Sequence, residues 1–221
     1  MRKFMVVPMA GLLALGIAAP AAAAPNVSNT SGSGQSVYGE WSSAGRSGYV
    51  SVGVDSGYGS FAEVYQESGT WVECAPGDEP PPDKGAIAYD TTPGDGGYGF
   101  VGTRTWGSGS DVRLVLSRKL DSGRATGTIE LFTETVDECN AVYEEGTNEV
   151  GALDLRVTGT GAVASFRDSQ FYKLPSEFNG HATYRGRERQ ATGSLVAGGS
   201  IDVGLASAYM SEVTWSEHVN R

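Results

Sequence analysis

The run DVRLVLSRKL, residues 111 to 120, places Val112, Leu114, Leu116 and Leu120 on one side and Asp111, Arg113, Ser117 and Lys119 on the other. A period of two is the mark of an extended strand with one buried and one wet face. The same period returns in ALDLRVT, where Leu153, Leu155 and Val157 oppose Asp154, Arg156 and Thr158, and in IDVGLAS, which groups Ile201, Val203 and Leu205. The three-and-four spacing of an amphipathic helix is missing from the chain beyond its first two dozen residues. Between the alternating runs stand Asp55-Ser56-Gly57, Glu67-Ser68-Gly69, Asp121-Ser122-Gly123, Gly159-Thr160-Gly161 and Gly198-Gly199. These residues reach tight-turn geometry at little cost. The pattern predicts an all-β fold of roughly twelve strands with no substantial helix. Short connections imply antiparallel neighbours, hence a meander closed into a barrel or folded into a β-sandwich. Gly39, Gly53, Gly99, Gly127 and Gly151 fall inside the presumed strands, which predicts bulges and strong coiling and favours closure.

The first residues change the picture by removing themselves from it. Arg2 and Lys3 precede an apolar run that is interrupted by Pro8 and followed by the small residues Ala21 to Ala24. This is the layout of a secretory signal peptide over residues 1–24, with cleavage near Ala23 and release to the extracellular space or periplasm. Residues 25–36 are rich in Ser, Gly and Asn and read as a flexible leader, which leaves 37–221 as a single all-β domain.

Without Arg2 and Lys3, 14 basic residues face 26 acidic ones, a formal charge of -12. Such a balance disfavours nucleic acid and anionic membrane as partners. A membrane-spanning barrel needs strands of about 9 to 11 residues with an outward apolar row. The few runs that long carry charge or threonine on their second face, so membrane insertion is not expected and a monomer is.

Two cysteines in an exported chain form a natural pair. Cys74 closes GTWVEC and Cys139 closes LFTETVDEC, and each opens a loop. Glu73, Asp78, Glu79 and Asp83 surround the first, Asp137 and Glu138 the second, the wrong charge for a reactive thiolate. A Cys74–Cys139 disulfide is expected, worth about 4 kcal/mol for so long a loop.

No motif concentrates catalytic chemistry. Gly97 to Gly102 matches GxGxxG and Gly159 to Ala164 its looser form, but neither opens a helix, as dinucleotide binding requires. HExxH, GxSxG and GK[ST] are absent. His181 and His218 could serve a dispersed Ser-His-Asp site, and Glu63, Glu130, Glu134, Asp202 and Glu212 could supply paired carboxylates, so a secreted hydrolase is the alternative function. No cofactor is indicated. Asp90 and Asp95, in DTTPGDGG, are weak calcium candidates because they lack the spacing that makes oxygens converge.

Two features point to binding instead. HATYRGRER sets Arg185, Arg187 and Arg189 on one strand face, ready to pair with acids such as Asp202 or Glu212 or to grip an anionic polymer. Aromatics crowd the N-terminal half: Trp41, Trp71 and Trp106, with Tyr38, Tyr49, Tyr58, Tyr65, Tyr89 and Tyr98. Flat rings on a β surface stack against sugar rings. The sequence therefore reads as a secreted, non-catalytic binding module for a carbohydrate or cell-envelope polymer, or for a small apolar ligand inside a barrel. Trp71, Trp106, Tyr98, Arg185, Arg187 and Arg189 are the candidate ligand residues.

Overall fold

The computed structural model describes residues 27–43, 45–74, 97–173 and 179–220. They form ten strands and no helix: β1 (Val27–Ser43), β2 (Arg46–Asp55), β3 (Gly59–Glu73), β4 (Tyr98–Gly109), β5 (Val112–Leu116), β6 (Ser122–Asp137), β7 (Val142–Gly159), β8 (Ala164–Lys173), β9 (Asn179–Ala197) and β10 (Ile201–Asn220). Every pairing is antiparallel. The ladder runs β1-β2-β3-β4-β6-β7-β9-β10, and β10 pairs again with β1. The sheet therefore closes on itself as an eight-walled meander barrel.

Two walls are bent strands made of two segments. Along β6, Ser108 of β4 stands opposite Glu130, and beyond the bend Val112 of β5 stands opposite Gly127. Ser60 spans that bend, its hydroxyl donating to the Ser110 carbonyl at 2.7 Å and accepting from the Val112 amide at 3.1 Å. β7 and β8 follow one edge of β9 in the same way, interrupted at residues 160–163.

The inward positions make one apolar core. Val37, Val50, Val52, Val64, Ile129, Leu131, Leu153, Leu155, Leu195, Ile201 and Met210 are all buried there, with Val112, Leu114 and Leu116 of β5 closing over them. Leu120 joins this core from a turn rather than from the strand face its spacing predicted. Ser117 Oγ accepts from the amides of Asp121 and Ser122, which ends the strand early, and Leu120 turns inward at φ 55°. At one level the lining turns polar: Trp41, Gly48, Gln66, Thr105 and Thr133 are cross-strand neighbours in succession. Trp41 Nε1 and Gln66 Oε1 are buried there without a hydrogen-bond partner.

The strand glycines serve cover more than curvature. Trp41 lies opposite Gly48, Phe61 opposite Gly53, Trp215 opposite Gly32 and Phe166 opposite Gly186. In each pair a methyl group on the glycine would collide with the facing ring. An aromatic laid over a cross-strand glycine replaces the missing side-chain packing. Register shifts occur at Phe132/Glu134, where Gly146 and Thr147 of β7 stand against Thr133, and at Leu205/Ala208; the first holds a glycine, but none of Gly39, Gly53, Gly99, Gly127 and Gly151 lies at either. Glu67-Ser68-Gly69, expected as a turn, lies inside β3 because β4 pairs through it, with Gly69 opposite Gly102.

Residues 27–36, expected as a flexible leader, are the first half of β1 and pair with β10 from Val27↔Asn220 onward. Ladder bonds use backbone groups, so a composition poor in apolar side chains is no obstacle once a partner strand is present. With β8 and the outer halves of β9 and β10, this segment carries one wall of the barrel beyond the rim.

Cys74 and Cys139 are bonded, tying the end of β3 to the turn after β6. A methyl at Gly99 would sit 2.8 Å from both sulfurs, so the bridge packs against a position only glycine fits. The disulfide is compatible with an oxidising compartment. No helix of the described residues is long and apolar enough to cross a membrane, which says nothing of crossing by strands.

Candidate ligand-binding face

The outward positions of six consecutive walls, β10, β1, β2, β3, β4 and β6, carry neighbouring aromatic rings. Tyr49 of β2 faces Tyr65 of β3, Tyr65 faces Trp106 of β4, and Trp106 faces Phe132 of β6. Tyr38 of β1 sits diagonally beside Tyr49, and Tyr209 of β10 lies opposite Tyr38. Ring centroids follow one another at 6.1, 5.7, 6.0 and 6.0 Å from Tyr38 to Phe132. The placement follows from alternation: Val37, Val50, Val64 and Thr105 are the inward neighbours, so the residues beside them must point out.

Carboxylates hold the phenols of this strip. Tyr38 donates to Glu40 at 2.7 Å, Tyr49 to Glu63 at 2.7 Å and Tyr65 to Glu67 at 2.6 Å. Partial burial, and then the neighbouring Glu63, pushes the Tyr49 hydroxyl up to about 12. Burial followed by Glu40 raises Tyr38, and burial followed by Glu67 raises Tyr65, against the opposing pull of Arg104. All three phenols are neutral at physiological pH, and each oxygen keeps a lone pair for a ligand hydroxyl.

Arg104 ends the strip on β4. Its Nε donates to Glu67 at 3.2 Å and its NH2 to Glu138 at 2.6 Å, and its guanidinium lies 5.1 Å from the Phe100 ring centre. Burial works against the Arg104 charge, but Glu138 and Glu67 outweigh it and raise its pKa. Glu138 also accepts from the Phe100 amide at 2.9 Å, fixing the turn that carries Cys139. Beyond Phe100 stand Trp71, its cross-strand partner at 5.9 Å, and Tyr98. Trp71 is 59% exposed and Tyr98 69%, against 37% for Trp106.

Trp71, Trp106 and Tyr98 thus share one side of the β3–β4 pair, as two groups separated along β4 by Arg104. Trp106 is six residues from Phe100, about 20 Å of strand. The arginines of β9 do not join them. Arg187 pairs with Glu212, the acid opposite it, and Arg189 with Asp121. Arg185 is exposed and lies opposite Arg167 of β8. Arg185 and Arg187 line a shallow groove of about 630 Å³ with Gln35, Glu212 and Thr214, away from the aromatic strip. Glu63 and Glu212 are engaged with Tyr49 and with Arg187 and Gln35. Asp90 and Asp95, the calcium candidates, lie outside the described residues, as do residues 75–89.

Phe132 and Arg104 were missed by sequence reasoning, and the tyrosines were seen only as a crowd. A usable signal existed for part of the strip. A hairpin centred on Gly57 sets Tyr49 against Tyr65, but no short hairpin links Tyr65 to Trp106 or Trp106 to Phe132 in the sequence.

No family model matches the chain, and no curated protein or solved structure matches it. The class of molecule is therefore defined by the fold itself: a closed antiparallel barrel with a filled core and an aromatic outer face.

Proposed function

We propose that this is an exported, non-catalytic binding protein that holds an extracellular glycan or cell-envelope polymer across the strip from Tyr38 to Phe132. The observation that carries the reading is the row of cross-strand rings on the outside of the barrel, three with hydroxyls oriented by carboxylates. Rings supply stacking area at low conformational cost, and the oriented phenols supply hydrogen bonds. Glu40, Glu63 and Glu67 make the face acidic, which favours a neutral or amine-bearing polymer over a sulfated or uronic one.

An apolar ligand inside the barrel is the weaker reading, because the interior is occupied by the protein's own side chains. Bilayer insertion is disfavoured as well. The outward rows include Glu40, Glu63, Arg124, Glu130, Asp154 and Arg156, where a lipid-facing barrel needs a continuous apolar band. Export rests on the basic, then apolar, then small-residue order of residues 1–24.

Affinity electrophoresis against neutral, amine-bearing and anionic glycans tests the proposal. Trp106→Ala is expected to weaken binding roughly threefold to tenfold, the equivalent of one stacking contact. Absence of retardation by every glycan, or full retention by Trp106→Ala and Tyr65→Ala alike, would overturn it.

A further inference from the structure

The chain contains two histidines, and the fold makes them direct partners: His181 of β9 stands opposite His218 of β10. Directly opposed residues of an antiparallel pair share a face, with Cβ atoms about 4.5–5.5 Å apart. Two imidazoles so placed can reach a single ion.

The row continues to either side and holds each ring. Phe171 of β8, opposite His181, stacks on it with centroids 4.3 Å apart and planes 10° from parallel. Asn29 of β1, opposite His218, places Oδ1 2.5 Å from His218 Nδ1. An amide oxygen only accepts, so this contact suits the tautomer with the proton on Nδ1, which leaves the lone pair on Nε2. This is the outer partner that fixes tautomer and orientation in metal-ligating histidines. The next row on the same face is Ser31, Ser216, Thr183 and Ser169, short, uncharged and rich in hydroxyls. It leaves room beside the imidazoles for an ion and its water.

We infer that His181 and His218 together bind one borderline divalent transition-metal ion, copper(II) ahead of nickel(II) and zinc(II), with Nε2 as the ligand atom of His218 and water completing the shell. Imidazole suits these ions, and their order on nitrogen ligands puts copper first. No three of His, Cys, Asp and Glu converge on a metal position among the described residues, so this is a two-imidazole site of modest affinity. It lies on the sheet extension beyond the barrel rim and does not depend on the glycan reading.

The test is calorimetric titration of untagged, EDTA-stripped protein with copper, nickel and zinc chlorides. One equivalent is expected, copper binding most tightly. His181→Gln and His218→Gln are each expected to weaken it at least tenfold, and the double variant little further, because either loss breaks the chelate. Metal-free melting curves check that the variants stay folded. Binding that survives either substitution, loss confined to one of the two, or no binding beyond that of the double variant would each sink the inference.

Discussion

Arg104 joins three parts of the molecule: the tyrosine strip through Glu67, the disulfide-bearing turn through Glu138, and the ring of Phe100. Its side chain is 17% exposed and those of Glu67 and Glu138 are 20% and 27%, so the pairs are neither dry nor fully screened. Arg104→Met keeps the apolar stem and removes the charge. A hydrogen bond to a charged group contributes about 1.5–3 kcal/mol when buried, and partial exposure brings each of these nearer 1 kcal/mol. The contact with Phe100 adds about 0.5–1 kcal/mol, for an expected loss of about 2–3 kcal/mol. Lysine offers a point charge in place of a planar fork, so Arg104→Lys should recover less than half of this. The assay is urea unfolding of the oxidised protein, in a cycle with Glu138→Gln. The slope should stay constant while the midpoint falls, and the coupling should be about 1 kcal/mol. A loss under about 0.5 kcal/mol, or no coupling, would refute the view that Arg104 ties the turn to the strip.

Alkaline pH should destabilise the fold through the strip. The phenols of Tyr38, Tyr49 and Tyr65 are raised in the folded state, so their contribution is complete below pH 10 and declines as pH rises above it, Tyr49's being lost through about 12 and those of Tyr38 and Tyr65 later. Melting temperatures measured from pH 8 to 12 check this, and the fall should shrink in Tyr49→Phe; an equal fall in that variant counts against the assignment. Gln66→Met should stabilise by about 1 kcal/mol, since Gln66 Oε1 is buried without a partner and methionine has similar volume. A lower urea midpoint would show that the oxygen is satisfied. Reducing Cys74–Cys139, which are 65 residues apart, should cost about 2–4 kcal/mol in the same assay, and an unchanged midpoint would contradict the staple role.

What the sequence carried was local, and what it hid was the pairing of distant strands. Alternation in DVRLVLS and ALDLRVT identified β5 and β7, because inward Leu114 and Leu155 imply outward charge. The disulfide was legible because two cysteines in acidic loops have little other chemistry open to them. Pairing of the arginine strand with Glu212 was legible for Arg187, whereas Asp121 reaches Arg189 from a turn 68 residues away. Closure by β1 against β10 left no trace, since backbone bonds hold NTSGSG there whatever its side chains. The candidate face was half legible for the same reason. Trp71, Trp106 and Tyr98 stood out by residue type, but the strip depends on register, and the step from Trp106 to Phe132 leads to β6, across the β5 segment.

Under the proposed binding role, the filled interior and the register of the rings both point to the outside of the barrel. An eight-stranded barrel has room inside for side chains or for one small ligand, and here Leu, Ile, Val and Met side chains take that room. The outer wall at β6 and β7 is charged: Arg124 and Arg156 both bond to Asp154, a ladder that keeps the sheet wet. The wall from β1 to β6 puts rings at equivalent positions, where charge would serve solubility better. Those rings pack on one another at about 6 Å, so part of their cost is offset by pairing, but Tyr38 and Trp106 remain 40% and 37% exposed. If pairing were their whole purpose, threonine at Tyr49 and Trp106 would lower stability and leave glycan retardation unchanged. Loss of retardation in a variant that still melts cooperatively would separate the two roles and assign the strip to its ligand.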